Sequence, residues 1–127
     1  MNRSVLIVDD DKLTCWGLEK MMSPYNLLVT SVTNGTDAIA EVLTRPFNSV
    51  FLDINLPDVS GFDVLKEIRN RTPETKVVVI TADGSDDNRR RALEEGAFHF
   101  IGKPFTVKEI RETLESCLGE CPRRQVI

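Results

Sequence analysis

The chain has 127 residues, 41% of them hydrophobic and 28% charged, which fits one domain that can bury a core without disulfides or structural metal. No apolar run approaches a bilayer span, and the residues before Asp9 are too few for the apolar centre of a secretory signal, so a cytoplasmic location is expected. The net charge of −4 argues against a nucleic-acid surface in this segment, because phosphate binding needs a basic patch.

A first strand is expected over residues 4–8, followed directly by three acids, Asp9, Asp10 and Asp11. A helix follows over 12–22, closed by Ser23-Pro24. On it Thr14, Leu18, Met21 and Met22 form a stripe at helical spacing, while Leu13 and Trp16 fall near the opposite face. A second strand is expected over 27–32, a turn at Asn34-Gly35 and a helix over 36–43. The third strand, 49–52, ends at Asp53, and Gly61 precedes a helix over 62–69. The fourth strand, 76–81, ends in Thr81 and Ala82. A helix over 86–95 follows, closed by Gly96, with Arg89, Arg90, Arg91, Glu94 and Glu95 read as a solvated, charge-paired face. The fifth strand, 98–101, carries His99 as an edge or surface histidine and leads to Lys103. A last helix covers 107–118, so residues 1–118 form the domain and 119–127, GECPRRQVI, a tail or linker. Cys15, Cys117 and Cys121 read as reduced thiols, the last two within one helical turn.

Strands alternating with helices make βαβ units, and the continuously apolar runs 5–8 and 77–80 suit interior strands of a parallel sheet covered on both faces. The fold class is α/β, doubly wound. In such sheets ligands bind beyond the carboxyl ends of the strands. Asp9, Asp10, Asp53, Thr81 and Lys103 all stand there. Carboxylates brought together raise one another's pKa, so the site requires a cation beside the Lys103 ammonium. Oxygen donors without His or Cys suit Mg2+, with Mn2+ as the alternative ion. A carboxylate nucleophile, a hard cation, a lysine and a hydroxyl together meet the needs of phosphoryl transfer to an aspartate. Read alone, the acid triplet is also what a solvated turn with a helix cap looks like. Asp11, where the first helix begins, is assigned to that capping role.

The motifs VLIVDDD, FLDINLPDVSGFDVL, VVVITA and GAFHFIGKPF, in this order and spacing, resemble the receiver domain of bacterial two-component response regulators. The resemblance covers Arg3 to about Leu118. It implies a five-stranded CheY-like, flavodoxin-like sheet of order 2-1-3-4-5. It further implies Asp53 as phosphoacceptor, served by a sensor histidine kinase or phosphotransfer protein. Asp10, Asp53 and the backbone carbonyl of Asn55 would bind Mg2+, with Asp9 acting through a metal-bound water. Lys103 would hold Asp53 and then a phosphoryl oxygen, Thr81 would move to the phosphoryl group, and Phe100 would be the aromatic switch. Lys103-Pro104 matches a peptide that is usually cis in the family. Asn55 and Asp83 occupy positions that tune phosphoryl lifetime. Leu13 and Trp16 either lie over neighbouring aliphatic stems or form a docking patch for the phosphodonor. The output is unknown: transcriptional control is one expectation, with dimerisation through the fourth helix, fifth strand and fifth helix. Two other functions share parts of this pattern. A phosphorylation-independent pseudo-receiver usually lacks an acid or the lysine, and this chain keeps them all. A haloacid-dehalogenase-like phosphatase expects Thr or Val where Leu13 stands, and an acidic pair after the lysine.

Overall fold

The computed structural model describes residues 3–119. Of the expected tail 119–127 only Gly119 is described; Cys121, and with it the expected pairing with Cys117 within one helical turn, lies outside the described residues. The elements run β1 (Arg3–Val8), α1 (Lys12–Met22), β2 (Leu27–Val32), α2 (Gly35–Thr44), β3 (Ser49–Leu52), α3 (Gly61–Arg71), β4 (Lys76–Thr81), α4 (Asp86–Glu94), β5 (His99–Gly102) and α5 (Val107–Leu118). All strand pairs are parallel, in the order β2-β1-β3-β4-β5.

Successive strand residues point to opposite faces, so each buried run divides between two cores. Leu6, Val8, Val50, Leu52, Val77, Val79 and Phe100 face α2, α3 and α4, meeting Ala38, Val42, Leu65, Ile68 and Ala92. Val5, Ile7, Phe51, Val78, Ile80 and Ile101 face α1 and α5, meeting Leu18, Met22, Ile110 and Leu114. Burial on both faces explains why β1 and β4 read as unbroken apolar runs.

Each helix begins with a side chain that serves its free N–H groups. Asp11 accepts from Leu13, Asn34 from Asp37, Ser60 from Phe62, Ser85 from Asn88, and Thr106 forms a reciprocal capping box with Glu109. Asn34-Gly35 is therefore a helix start, which corrects the expected turn. Gly61 is likewise the first residue of α3, with Ser60 before it. β5 begins at His99, whose partner is Val78, one residue later than expected. His99 itself is exposed on this edge strand. The buried stripe of α1 is Cys15, Leu18 and Met22, with Met21 partly covered. Cys15 thus takes the place expected for Thr14, whose hydroxyl donates instead to Asp11 Oδ2 at 3.0 Å. Burial raises the Cys15 thiol to about 11 and the Cys117 thiol to about 12, so both stay protonated and unreactive.

Gly61 is required by a close backbone approach. A Cβ there would collide with Ile54 Cα and stand 2.6 Å from the Asp53 carbonyl oxygen, whereas a Cβ on Gly17 in α1 meets nothing within 4 Å. Gly61→Ala is expected to destabilise the domain by about 1–3 kcal/mol through overpacking. Gly17→Ala should instead stabilise it by roughly 0.5–1 kcal/mol through helix propensity. Urea unfolding of the two variants reads the difference; equal effects would contradict this account of the loop.

Candidate functional site

Strand register assembles the site. Val8 pairs with Leu52 and Thr81 with Gly102, so the next residues, Asp9, Asp53 and Lys103, leave the sheet at one edge. The ladder continues past the strands: Asp53 N–H donates to Val8 C=O at 2.9 Å and Lys103 N–H to Thr81 C=O at 2.8 Å. The position of each side chain is thereby fixed by backbone bonds.

Asp9 and Asp53 are buried, at 2% and 6% exposure, while Asp10 is exposed. One carboxylate oxygen from each lies within 4.8 Å of the others. The Lys103 ammonium donates to Asp9 Oδ2 at 2.8 Å and to Asp53 Oδ2 at 3.1 Å. The remaining oxygens also have donors: Asp11 N–H serves Asp9 Oδ1 and Asn55 N–H serves Asp53 Oδ1, each at 2.9 Å. Burial opposes the charge of Lys103, but its hydrogen bond to Asp9 and the charges of Asp53 and Asp9 outweigh it, so its pKa is raised. For Asp53 burial wins. Its carboxyl is pushed above the ordinary 3.8 despite the Asn55 N–H and Lys103.

The acid triplet divides as expected. Asp11 turns toward α1, accepting from Leu13 N–H at 2.9 Å. The Thr14 hydroxyl and then the Leu13 N–H lower its pKa. Thr81 Oγ1 is fully buried and accepts from Asn55 Nδ2 at 3.3 Å and Asp83 N–H at 3.1 Å, which leaves its own proton free to be donated. Phe100 is inside the core at 4% exposure, with the Arg89 guanidinium 5.9 Å above its ring. The side chain of Asp83 is exposed. Lys103-Pro104 is cis. Leu13 and Trp16 are 73% and 57% exposed, with Lys20 Nζ 5.6 Å from the indole ring. Arg90 pairs with Asp87 and Arg91 with Glu95 along α4, the solvated face expected there.

Lys103, expected to offset the repulsion among the acids, lies closer to Asp9 than to Asp53. One feature went unread in the sequence. Asp58 reaches from the loop after β3 to α2, accepting from Gly35 N–H, Thr36 N–H and the Thr36 hydroxyl. No motif signals such a bond, which exists only once the topology sets α2 beside the loop. A shallow groove of 460 Å³ runs from Asp10 along residues 54–60.

The response regulator receiver domain family matches residues 5–115. The chain belongs to this family. Among curated proteins, this receiver domain is 29% identical over 126 residues to the DNA-binding transcriptional regulator NtrC of Salmonella typhimurium, covering 98% of this chain and 27% of that protein. It is 36% identical over 116 residues to the response regulator protein PilR of Pseudomonas aeruginosa, covering 91% of this chain and 26% of that protein. The chain thus spans about a quarter of the length of these relatives. Among solved structures, a CheY-like response regulator receiver domain protein from Methanospirillum hungatei superposes with a TM-score of 0.89 at 26% identity, over 94% of this chain and 96% of that one. No helix among the described residues is long and apolar enough to cross a membrane.

The donor set fits a hard divalent cation. Asp9, Asp10 and Asp53 offer only oxygen, two of them buried and one open to solvent, with the backbone carbonyl of Asn55 as a further candidate. Because the folded pKa of Asp53 lies above its unfolded value, the cost of burying its charge is absent below the unfolded pKa. It is fully present once the pH has risen through the folded one. At neutral pH without divalent cation, Asp53→Asn should therefore raise Tm by several degrees, the gain shrinking as pH falls through the Asp53 titration. Excess Mg2+ should raise the Tm of wild type more than that of the variant. A lower Tm for the metal-free variant at neutral pH would contradict this reading.

Proposed function

We propose that this receiver domain accepts a phosphoryl group on Asp53 from a phosphohistidine of a sensor kinase or phosphotransfer protein, in a Mg2+-dependent reaction that switches an attached or separate output. The observation that carries the proposal is the placement of the Asp53 carboxylate between the Lys103 ammonium and the Asn55 N–H, within ligand reach of Asp9 and Asp10. Asp53, Asp10 and the Asn55 carbonyl would hold the cation, with Asp9 acting through a water. When bound, Mg2+ neutralises phosphoryl oxygens during in-line transfer. A carboxylate oxygen of Asp53 attacks phosphorus, a P–O bond forms, and the P–N bond to the donor histidine breaks with its electron pair going to the imidazole nitrogen. Lys103 shifts from Asp53 to a phosphoryl oxygen. Hydrolysis reverses the state: water attacks phosphorus, the P–O bond to Asp53 breaks, and the carboxylate returns with release of phosphate. The domain catalyses only its own phosphorylation and dephosphorylation.

The added phosphoryl group supplies new acceptor oxygens near Thr81, whose free hydroxyl proton suits it as the donor that reports phosphorylation. Phe100 follows Thr81 as the aromatic switch, and Asn55 and Asp83 flank the path of the attacking water and set the phosphoryl lifetime. Leu13 and Trp16, exposed on the helix that Asp11 starts beside the site, form the patch that the phosphodonor covers. Similarity to NtrC, a DNA-binding transcriptional regulator, supports a transcriptional output. The domain acts in the cytoplasm and dimerises through α4, β5 and α5. Residues 1–118 act as the receiver, with 119–127 leading out of it.

Intact-mass measurement after incubation with Mg2+ and a small phosphodonor tests the reading. Wild type and Asp11→Asn are expected to gain one phosphoryl group, and Asp53→Ala none; Asp10→Asn should lose most of the gain because Mg2+ binding weakens. Trp16→Ala should keep the small-donor reaction and slow transfer from the cognate phosphohistidine protein. An unmodified wild type, or equal losses in Asp10→Asn and Asp11→Asn, would overturn it.

A further inference from the structure

The loop that follows Asp53 is tied down at its far end by Asp58, which touches no part of the carboxylate site. Asp58 Oδ1 accepts from Gly35 N–H at 2.9 Å; Oδ2 accepts from Thr36 N–H at 2.9 Å and from the Thr36 hydroxyl at 2.6 Å. The two N–H groups are free first-turn donors of α2, 23 and 22 residues away in sequence. The local cap Asn34 is spent on Asp37, so α2 has a second cap that comes from the loop. The Thr36 hydroxyl, then the Gly35 and Thr36 N–H groups, hold the Asp58 carboxyl well below the ordinary range. Packing secures the same junction. A Cβ on Gly35 would collide with the Val59 side chain and stand 2.9 Å from that of Val64.

Nearer the site the loop folds back on itself. Asn55 and Ser60 pair as an antiparallel bridge, and Gly61 N–H donates to Ile54 C=O at 2.9 Å. Asn55 stands between these ties, with its N–H on Asp53 and its side-chain amide on Thr81. Whatever fixes residues 55–60 therefore fixes the groups that Asn55 presents to the site.

We propose that Asp58 is a positioning residue: by anchoring residues 55–60 to the first turn of α2, it sets where Asn55 directs its carbonyl toward a divalent cation. The proposal rests on the metal-dependent reading above. Asp58 touches neither the ligands nor the reacting oxygen, so it acts on the affinity for the cation and leaves transfer in the filled site unchanged.

Mn2+ binding measured by paramagnetic resonance or calorimetry tests it, beside the small-donor phosphorylation rate at saturating Mg2+. Asp58→Ala should weaken Mn2+ binding about tenfold, as loss of groups behind metal ligands does, and leave the saturated rate unchanged. Asp58→Asn removes the charge but keeps two of the three bonds, Oδ1 accepting from Gly35 N–H and Nδ2 donating to the Thr36 hydroxyl oxygen, so it should restore most of the affinity. Equal weakening in both variants would assign the effect to charge and overturn the proposal, as would wild-type affinity in Asp58→Ala or a reduced saturated rate. Should Asp58→Ala not fold, Thr36→Val, which removes one donor, is expected to weaken binding measurably, and wild-type affinity there would overturn the proposal. A wild type that binds no Mn2+ overturns the metal-dependent reading itself, which separates the two failures.

Discussion

The contact on which the rest of this domain depends is the Lys103 ammonium lodged between two buried carboxylates, 2.8 Å from Asp9 and 3.1 Å from Asp53. Two like charges at 2% and 6% exposure repel each other and lose hydration, and one ammonium balances only part of that cost. The site is therefore stable enough to form and still short of positive charge. A cation bound there would stabilise the fold, and under the proposed function a phosphoryl group would bring oxygens for Lys103 and the cation to share. On that proposal, the demand for charge compensation in the resting protein and the phosphoryl transfer have one physical origin.

The contact exists because a parallel sheet aligns strand ends. β1 and β3 end level with each other, β4 and β5 run two residues further, and backbone bonds just past the strands hold Asp9, Asp53 and Lys103 at the same edge. Precision beyond the strands falls to the loops. Gly61 lets the start of α3 lie against the Asp53–Ile54 backbone, and Asp58 pins the same loop to α2. The loop then connects outward through Asn55 to Thr81, and Thr81 lies two residues from the Asp83 N–H that it accepts. A change at Asp53 therefore has a short hydrogen-bonded route to the start of the α4 segment, while Phe100 packs in the core beneath Arg89.

Much of this was legible because it is local or periodic. Fully buried strands have to be apolar on both faces, which marked β1 and β4, and Ser23 and Gly96 closed their helices as punctuation predicts. The separate role of Asp11 followed from its place at a helix start. The misses have equally definite causes. Asn34-Gly35 serves turns and helix starts alike, and only the paired contact with Val59 and Asp58 shows why glycine opens α2. Thr14 and Cys15 both lie within helical spacing of Leu18, so periodicity could not choose between them. Asp58 was invisible because its partners are 22 and 23 residues distant and no periodic or motif signal links them.

The account turns on Lys103 and a divalent cation compensating the same carboxylates, and calorimetric titration of Lys103→Met with Mn2+ tests that directly. Removing the ammonium leaves Asp9 and Asp53 uncompensated, so the variant should bind Mn2+ more tightly than wild type and depend on it more for thermal stability. Weaker or unchanged binding would contradict the claim, because the lysine would then be supporting the cation site and not sharing its charge.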